Sequence, residues 1–111
     1  MSLSVTVHGI ATSEGVNQNG RWATADITTT DGSDIIVYTF PATIDYAFTS
    51  VSICNRAGTP TLPVSMAIAQ SDTPLDSEFI EWKTVIIPKG VLERTQLLVQ
   101  PGDRIIVRVG P

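Results

Sequence analysis

Apolar residues in this chain fall at alternate positions, in short runs divided by turn signals roughly every 8 to 12 residues. Leu3, Val5 and Val7 open the pattern, and Ile105, Val107 and Val109 close it. A period of two puts every second side chain on one face of a strand, whereas an amphipathic helix needs apolar residues at i, i+3 and i+4. No ten-residue stretch carries that helical stripe. The pattern therefore predicts an all-β fold. The strands that fit it are Leu3 to His8, Arg21 to Thr28, Ile35 to Phe40, Tyr46 to Asn55, Leu62 to Gln70, Phe79 to Ile87, Val91 to Val99 and Arg104 to Val109.

The punctuation between them sets further expectations. Gly9 and the polar stretch Thr12 to Gly20 interrupt the pattern after the first strand, and Asp31-Gly32 makes the second and third read as a hairpin. Pro41 ends the third strand, because proline offers no amide proton to a ladder. In the fourth, Tyr46 and Phe48 lie on one parity and Val51 and Ile53 on the other, which predicts a bulge near Thr49-Ser50. In the fifth, Leu62, Val64, Met66 and Ile68 share a face. Ser65, Ala67 and Ala69 make the opposite face, small enough to lie beneath a neighbouring chain or a loop. Ile80, Trp82, Thr84 and Ile86 share a face of the sixth, which places Trp82 in the core. Pro88-Lys89-Gly90 and Pro101-Gly102-Asp103 supply tight turns. Antiparallel strands of this number and length close as two packed sheets, so the expectation is an eight-stranded antiparallel β-sandwich with jelly-roll or Ig-like Greek-key connections. The 111 residues fit a single domain, 1–111, with residues 1–20 forming an extended N-terminal arm plus the first strand.

Charged residues make up 16% of the chain, against about 25% in ordinary soluble domains. With 42% hydrophobic residues and a mean hydropathy of +0.18, part of the surface is expected to be covered by another copy or by a host surface. A net charge of −4, with the basic residues scattered, argues against nucleic acid, which requires clustered Lys and Arg. The first residues lack a basic region followed by an apolar run, and no stretch reaches the ~20 apolar residues of a membrane span. Cys54 is the one cysteine, so no intrachain disulfide forms, which fits folding in a reducing cytoplasm.

The residues of catalysis are thin on this chain. Nucleophilic catalysis needs a base beside the nucleophile, and His8 is the single histidine, read as a solvated strand-end residue. Zinc would need further ligands that do not accompany it. Cys54 reads as a small packed hydrophobe. Glu78 and Glu81 lie three apart, which on a strand means opposite faces, so they do not converge as a glycosidase pair. Asp72 and Asp76 flank Pro74 and read as turn stabilisers rather than a calcium site. The expectation is thus no enzyme, no cofactor and no metal. Trp22 has Thr24 and Asp26 on its parity, while Ala23, Ala25 and Ile27 form the apolar face. That marks Trp22 for an exposed position at an interface or, as an alternative, on a sugar.

From Tyr46 onward several strings carry a resemblance: Ser52-Ile53-Cys54-Asn55-Arg56, Ala67-Ile68-Ala69, Ser71-Asp72-Thr73-Pro74, Phe79-Ile80-Glu81-Trp82 and Lys89-Gly90-Val91-Leu92-Glu93-Arg94-Thr95. In this second half the chain resembles small virion structural proteins of tailed bacteriophages, notably cyanobacterial ones. The resemblance implies a β-sandwich capsid cement or decoration subunit, or else a tail or baseplate part. It would be made in the host cytoplasm and carried in the virion, contacting the major capsid protein or other virion subunits, and would assemble as a homotrimer. Glu93 and Arg94 point to opposite strand faces, and at least one is expected to pair across an interface. A carbohydrate-binding β-sandwich module is the reading from a different class.

Overall fold

The computed structural model describes residues 3–13, 16–44 and 46–110. Its strands are β1 (Leu3–Ser13), β2 (Val16–Ile27), β3 (Asp34–Thr39), β4 (Tyr46–Asn55), β5 (Val64–Ala69), β6 (Phe79–Thr84), β7 (Val91–Val99) and β8 (Arg104–Val109). A single 3-10 turn, Asp76–Glu78, precedes β6. Two four-stranded antiparallel sheets result, with strand orders β2-β1-β4-β7 and β3-β8-β5-β6. We call them the first and second sheet.

The expected all-β sandwich is what the chain forms, and the strand order resolves its connections. β5 pairs with β6, β4 with β7, and β3 with β8, so the pairs nest around the β5–β6 hairpin. That nesting is the jelly-roll order rather than the Ig-like one. β1 fills the closing place, hydrogen-bonded on one side to β2 and on the other to β4.

Alternation drives the packing. Leu3, Val5 and Val7 of β1 and Val51 and Ile53 of β4 face Val64 and Met66 of β5 and Ile105, Val107 and Val109 of β8, all at 0–1% exposure. At ~25 cal/mol per Å² of apolar area removed from water, each such side chain contributes roughly 1.5–3 kcal/mol before chain entropy is set against it. The two open sides of the sandwich are closed differently. Between β2 and β3, Trp22 stacks on Tyr38 with centroids 6.2 Å apart, and both meet Phe40 edge-on at 5.3 and 4.8 Å. Between β7 and β6, Arg94 Nε pairs with Glu81 Oε1 at 2.8 Å, and its guanidinium also donates to the Ile80 carbonyl at 2.6 Å.

Several expectations need correction. β2 and β3 are not a hairpin; they lie in different sheets. The Gly32 amide donates to the Val109 carbonyl at 2.9 Å, and Asp31 accepts from the Ser33 amide and hydroxyl. The Asp31-Gly32 turn is therefore docked on β8 and carries the chain from one sheet to the other. The polar stretch after Gly9 is paired strand rather than an interruption: β1 continues to Ser13, and Ala11 pairs with Gln18. The shift at Thr49-Ser50 exists, but only against β7; the ladder with β1 runs through it unbroken. The extra residue belongs to β7, where Gln96 takes φ 55, and Phe48 points outward. β6 ends at Thr84, and Trp82 lies outside the core at 54% exposure. Its parity flips because the ladder partners of Val64 and Met66 are Thr84 and Glu81, leaving Trp82 and Lys83, at φ 52, as the bulge.

The small face of β5 lies beneath a loop. Ala67, Ala69 and Ile106 are fully buried on the outer side of the second sheet, packed by Phe79. The 70–78 connection folds back over this side with Pro74 buried. Arg104 fastens it, reaching Asp72 at 2.8 Å and the Gln70 carbonyl at 2.6 Å, while the Gln70 side-chain amide bonds Asp103.

Candidate interaction surface

Among the described residues, no loop of this kind covers the outer face of the first sheet. Its residues are the outward parity of β1, β2, β4 and β7, and strand register fixes them into rows. Ser4, Asp26, Cys54 and Val91 form one row; Thr6, Thr24, Ser52 and Glu93 form the next. His8, Arg21 and Ser50 form a third, and Ile10, Phe48 and Leu98 a fourth. Three rows are small or polar apart from Val91, 59% exposed at the β7 edge of the first. The fourth is apolar, with Ile10, Phe48 and Leu98 at 54%, 46% and 60% exposure. Direct cross-strand partners lie ~4.5–5.5 Å apart at Cβ, so the three side chains form one contiguous strip.

The strip has relief as well as composition. A groove of about 490 Å³ is lined by Ile10, Phe48 and Gln96. A second hollow, about 630 Å³, lies between Ile10 and the His8–Arg21 row. Gly9 and Gly20, which pair directly across β1 and β2, form part of its lining. Gly9 is also required by its surroundings: a Cβ there would overlap the Phe48 carbonyl and crowd the Thr49 Cα. Thr49 bonds the strands at the same place, its hydroxyl donating to the His8 carbonyl at 3.1 Å.

The residues singled out from the sequence are dispersed. Trp22 is half-buried in the aromatic seal between β2 and β3. Glu93 is exposed on the first sheet's outer face, where it accepts from the Ser52 hydroxyl at 2.8 Å. Arg94 joins the two sheets within the chain through Glu81. His8 sits mid-strand rather than at a strand end, and Cys54 is half-buried on the outer face rather than packed inside. Glu78 accepts from the Leu75 and Gln70 amides while Glu81 holds Arg94, so the two carboxylates serve separate local structures. No group of three or more His, Cys, Asp or Glu among the described residues is placed to hold a metal ion. No helix is long and apolar enough to cross a membrane.

Sequence reasoning misses the Ile10–Phe48–Leu98 strip because its members come from three strands and align only once the register is known. The available signal is the outward parity of Phe48, which alternation alone registers as a phase switch. Comparison of the chain with protein-family models, curated proteins and solved structures gives no match.

Proposed function

We propose that this chain is a non-enzymatic structural subunit that works by holding other proteins, and that it serves in a tailed-phage virion as a capsid cement or decoration protein. The observation that carries the binding role is the exposed apolar strip on a sheet face that the chain leaves open. A protein–protein contact of this kind is built from an apolar, aromatic centre within a polar rim, and Phe48 with Ile10 and Leu98, bordered by the row of His8, Arg21 and Ser50, supplies such a centre. The low charged fraction supports the same reading. The virion assignment rests on the resemblance in the second half of the chain, which implies the major capsid protein as partner and a homotrimer as the assembly. A tail or baseplate subunit would use the same chemistry.

A sugar platform needs exposed rings on one plane. Among the described residues the exposed rings Phe48 and Trp82 belong to different sheets, which disfavours the carbohydrate reading. The test is co-sedimentation of the purified protein with empty capsids and, separately, with tails. Binding to capsids that Phe48→Glu abolishes supports the proposal. Binding to tails alone moves the subunit there, and binding to a polysaccharide with neither particle refutes it.

A further inference from the structure

We propose that the outer face of the first sheet binds a second copy of this chain about a two-fold axis running along the strands, between β1 and β4. This rests on the reading of the face as a protein-binding surface, names its occupant, and puts a dimer where the resemblance implies a homotrimer. Only some symmetric stackings bring the apolar strip onto itself. A two-fold in the plane of the face and across the strands reverses the order of rows and sets each strand over its own copy: through the middle of β1 it puts Ile10, Phe48 and Leu98 on the row of Thr6 and Ser52, and where it passes through the strip it leaves β2 over β2 and β7 over β7. A two-fold along the strands keeps every row at its own height. Ile10 then lies over the copy's Phe48, and Phe48 over the copy's Ile10, an isologous contact.

The same axis has a second, independent consequence. It sets β2 of one copy over β7 of the other, because these are the two edges of the sheet. Arg21 is exposed on β2 and makes no ion pair among the described residues. Glu93 is exposed on β7, one row away. That offset is two residues, about 6.6 Å, within the reach of an arginine side chain. Each copy thus offers a cation at one edge and an anion at the other, and the axis chosen by the apolar strip is the one that matches them twice. The area is sufficient. Eleven residues of β1 at about 3.3 Å each, by four strands at about 4.8 Å, give a face of roughly 36 × 19 Å. That is close to the ~800 Å² per partner of a standard interface.

Sedimentation equilibrium of the native protein tests this. The expected mass is twice 11.9 kDa at micromolar concentration. Phe48→Glu and Leu98→Glu, both at exposed positions, should each give a folded monomer by circular dichroism. Arg21→Glu and Glu93→Arg should each raise the dissociation constant at least tenfold, and the double variant should restore it. In this geometry the two Cys54 Cα atoms lie about 11 Å apart, from a ~10 Å sheet separation and one strand spacing, and their thiols, which project into the interface, fall within that span. A bis-maleimide of that span should trap a covalent dimer that Phe48→Glu prevents. A monomeric or trimeric mass, or a dimer indifferent to Phe48→Glu and Leu98→Glu, overturns the proposal. So does failure of the double charge swap to restore association. A monomer that still binds capsids through Phe48 overturns the two-fold and leaves the virion reading standing; a two-fold dimer that binds no particle does the reverse.

Discussion

Asn55 offers the sharpest test of how this sandwich is held at one end. It is fully buried at the last position of β4. Its Nδ2 donates to the carbonyls of Thr59, Ile86 and Ile87 at 2.8, 3.2 and 3.1 Å, its Oδ1 accepts from the Ala57 amide at 3.0 Å, and its own amide donates to Gly90. One side chain thereby ties the loop after β4 to the loop before β7. Counting every bond would overstate its worth. The Ile86 carbonyl keeps the Thr61 amide at 3.0 Å, and the Ile87 carbonyl keeps the Gly90 amide at 2.9 Å. Asn55→Ala therefore orphans chiefly the Ala57 amide and the Thr59 carbonyl, and the latter is reachable by water. At about 1–3 kcal/mol for an unsatisfied buried group, the expected loss is ~2 kcal/mol, or about 10 °C in Tm for a domain of this size. Asn55→Asp keeps the shape but replaces the donor with a carboxylate oxygen facing three carbonyls. An uncompensated buried charge costs ~3–5 kcal/mol, so the closer isostere should be the worse variant at pH 7. Thermal and urea unfolding of both variants measure this. An Asn55→Asp protein as stable as Asn55→Ala would show that donation to the carbonyls is not what Asn55 supplies.

The packing sets three further expectations. Ile106→Ala, emptying the small core beneath the 70–78 connection, should cost about 2–4 kcal/mol in urea unfolding, despite its position on the outer side of a sheet. Arg94→Ala should cost under ~1 kcal/mol in the same assay, because the Arg94–Glu81 pair is 45% and 18% exposed and water screens it. Asp31 is held below its ordinary value of 3.8, first by the Ser33 hydroxyl and then by the Ser33 amide. Because its folded value is depressed, its contribution is present above the unfolded value and lost as pH falls through the folded one. A carbon-detected NMR titration should place the Asp31 midpoint below 3.8, and Ser33→Ala should move it upward.

The sequence is most readable where glycine, proline and polar turn residues bracket a strand. β4, β7 and β8 have the bounds expected from alternation and turn residues. Alternation fails where the backbone takes a left-handed conformation that no glycine advertises. Lys83 and Gln96 both do this, at the bulges of β6 and β7, which is why alternation places Trp82 inward; Phe48 reads as a slip for another reason, an apolar side chain on the outward parity of a strand whose ladder with β1 is unbroken. The exchange of roles between the tryptophans has the same root. Trp22 stands at the β2 irregularity where Val7 pairs with Ala23 and His8 with Arg21, so it turns toward Tyr38 and Phe40. Pairing partners are the other blind spot. Asp31-Gly32 has hairpin chemistry, yet its bonds lead to Ser33 and to β8, a contact 77 residues away in the chain that no local pattern encodes.

The loop that folds over the second sheet has a consequence beyond burying two alanines. A sandwich has two outward faces, and a molecule adhesive on both would add copies indefinitely, growing as a filament. The 70–78 connection, fastened by Arg104, and Phe79 close over Ala67, Ala69 and Ile106, so the apolar side chains left in view, Leu75, Trp82 and Ile36, stand on a loop and at separate points of the second face rather than in one strip. Stacking through the first sheet then leaves no second flat strand face of the same kind for a third copy. The chain carries its own stop signal for growth, written in the loop between β5 and β6.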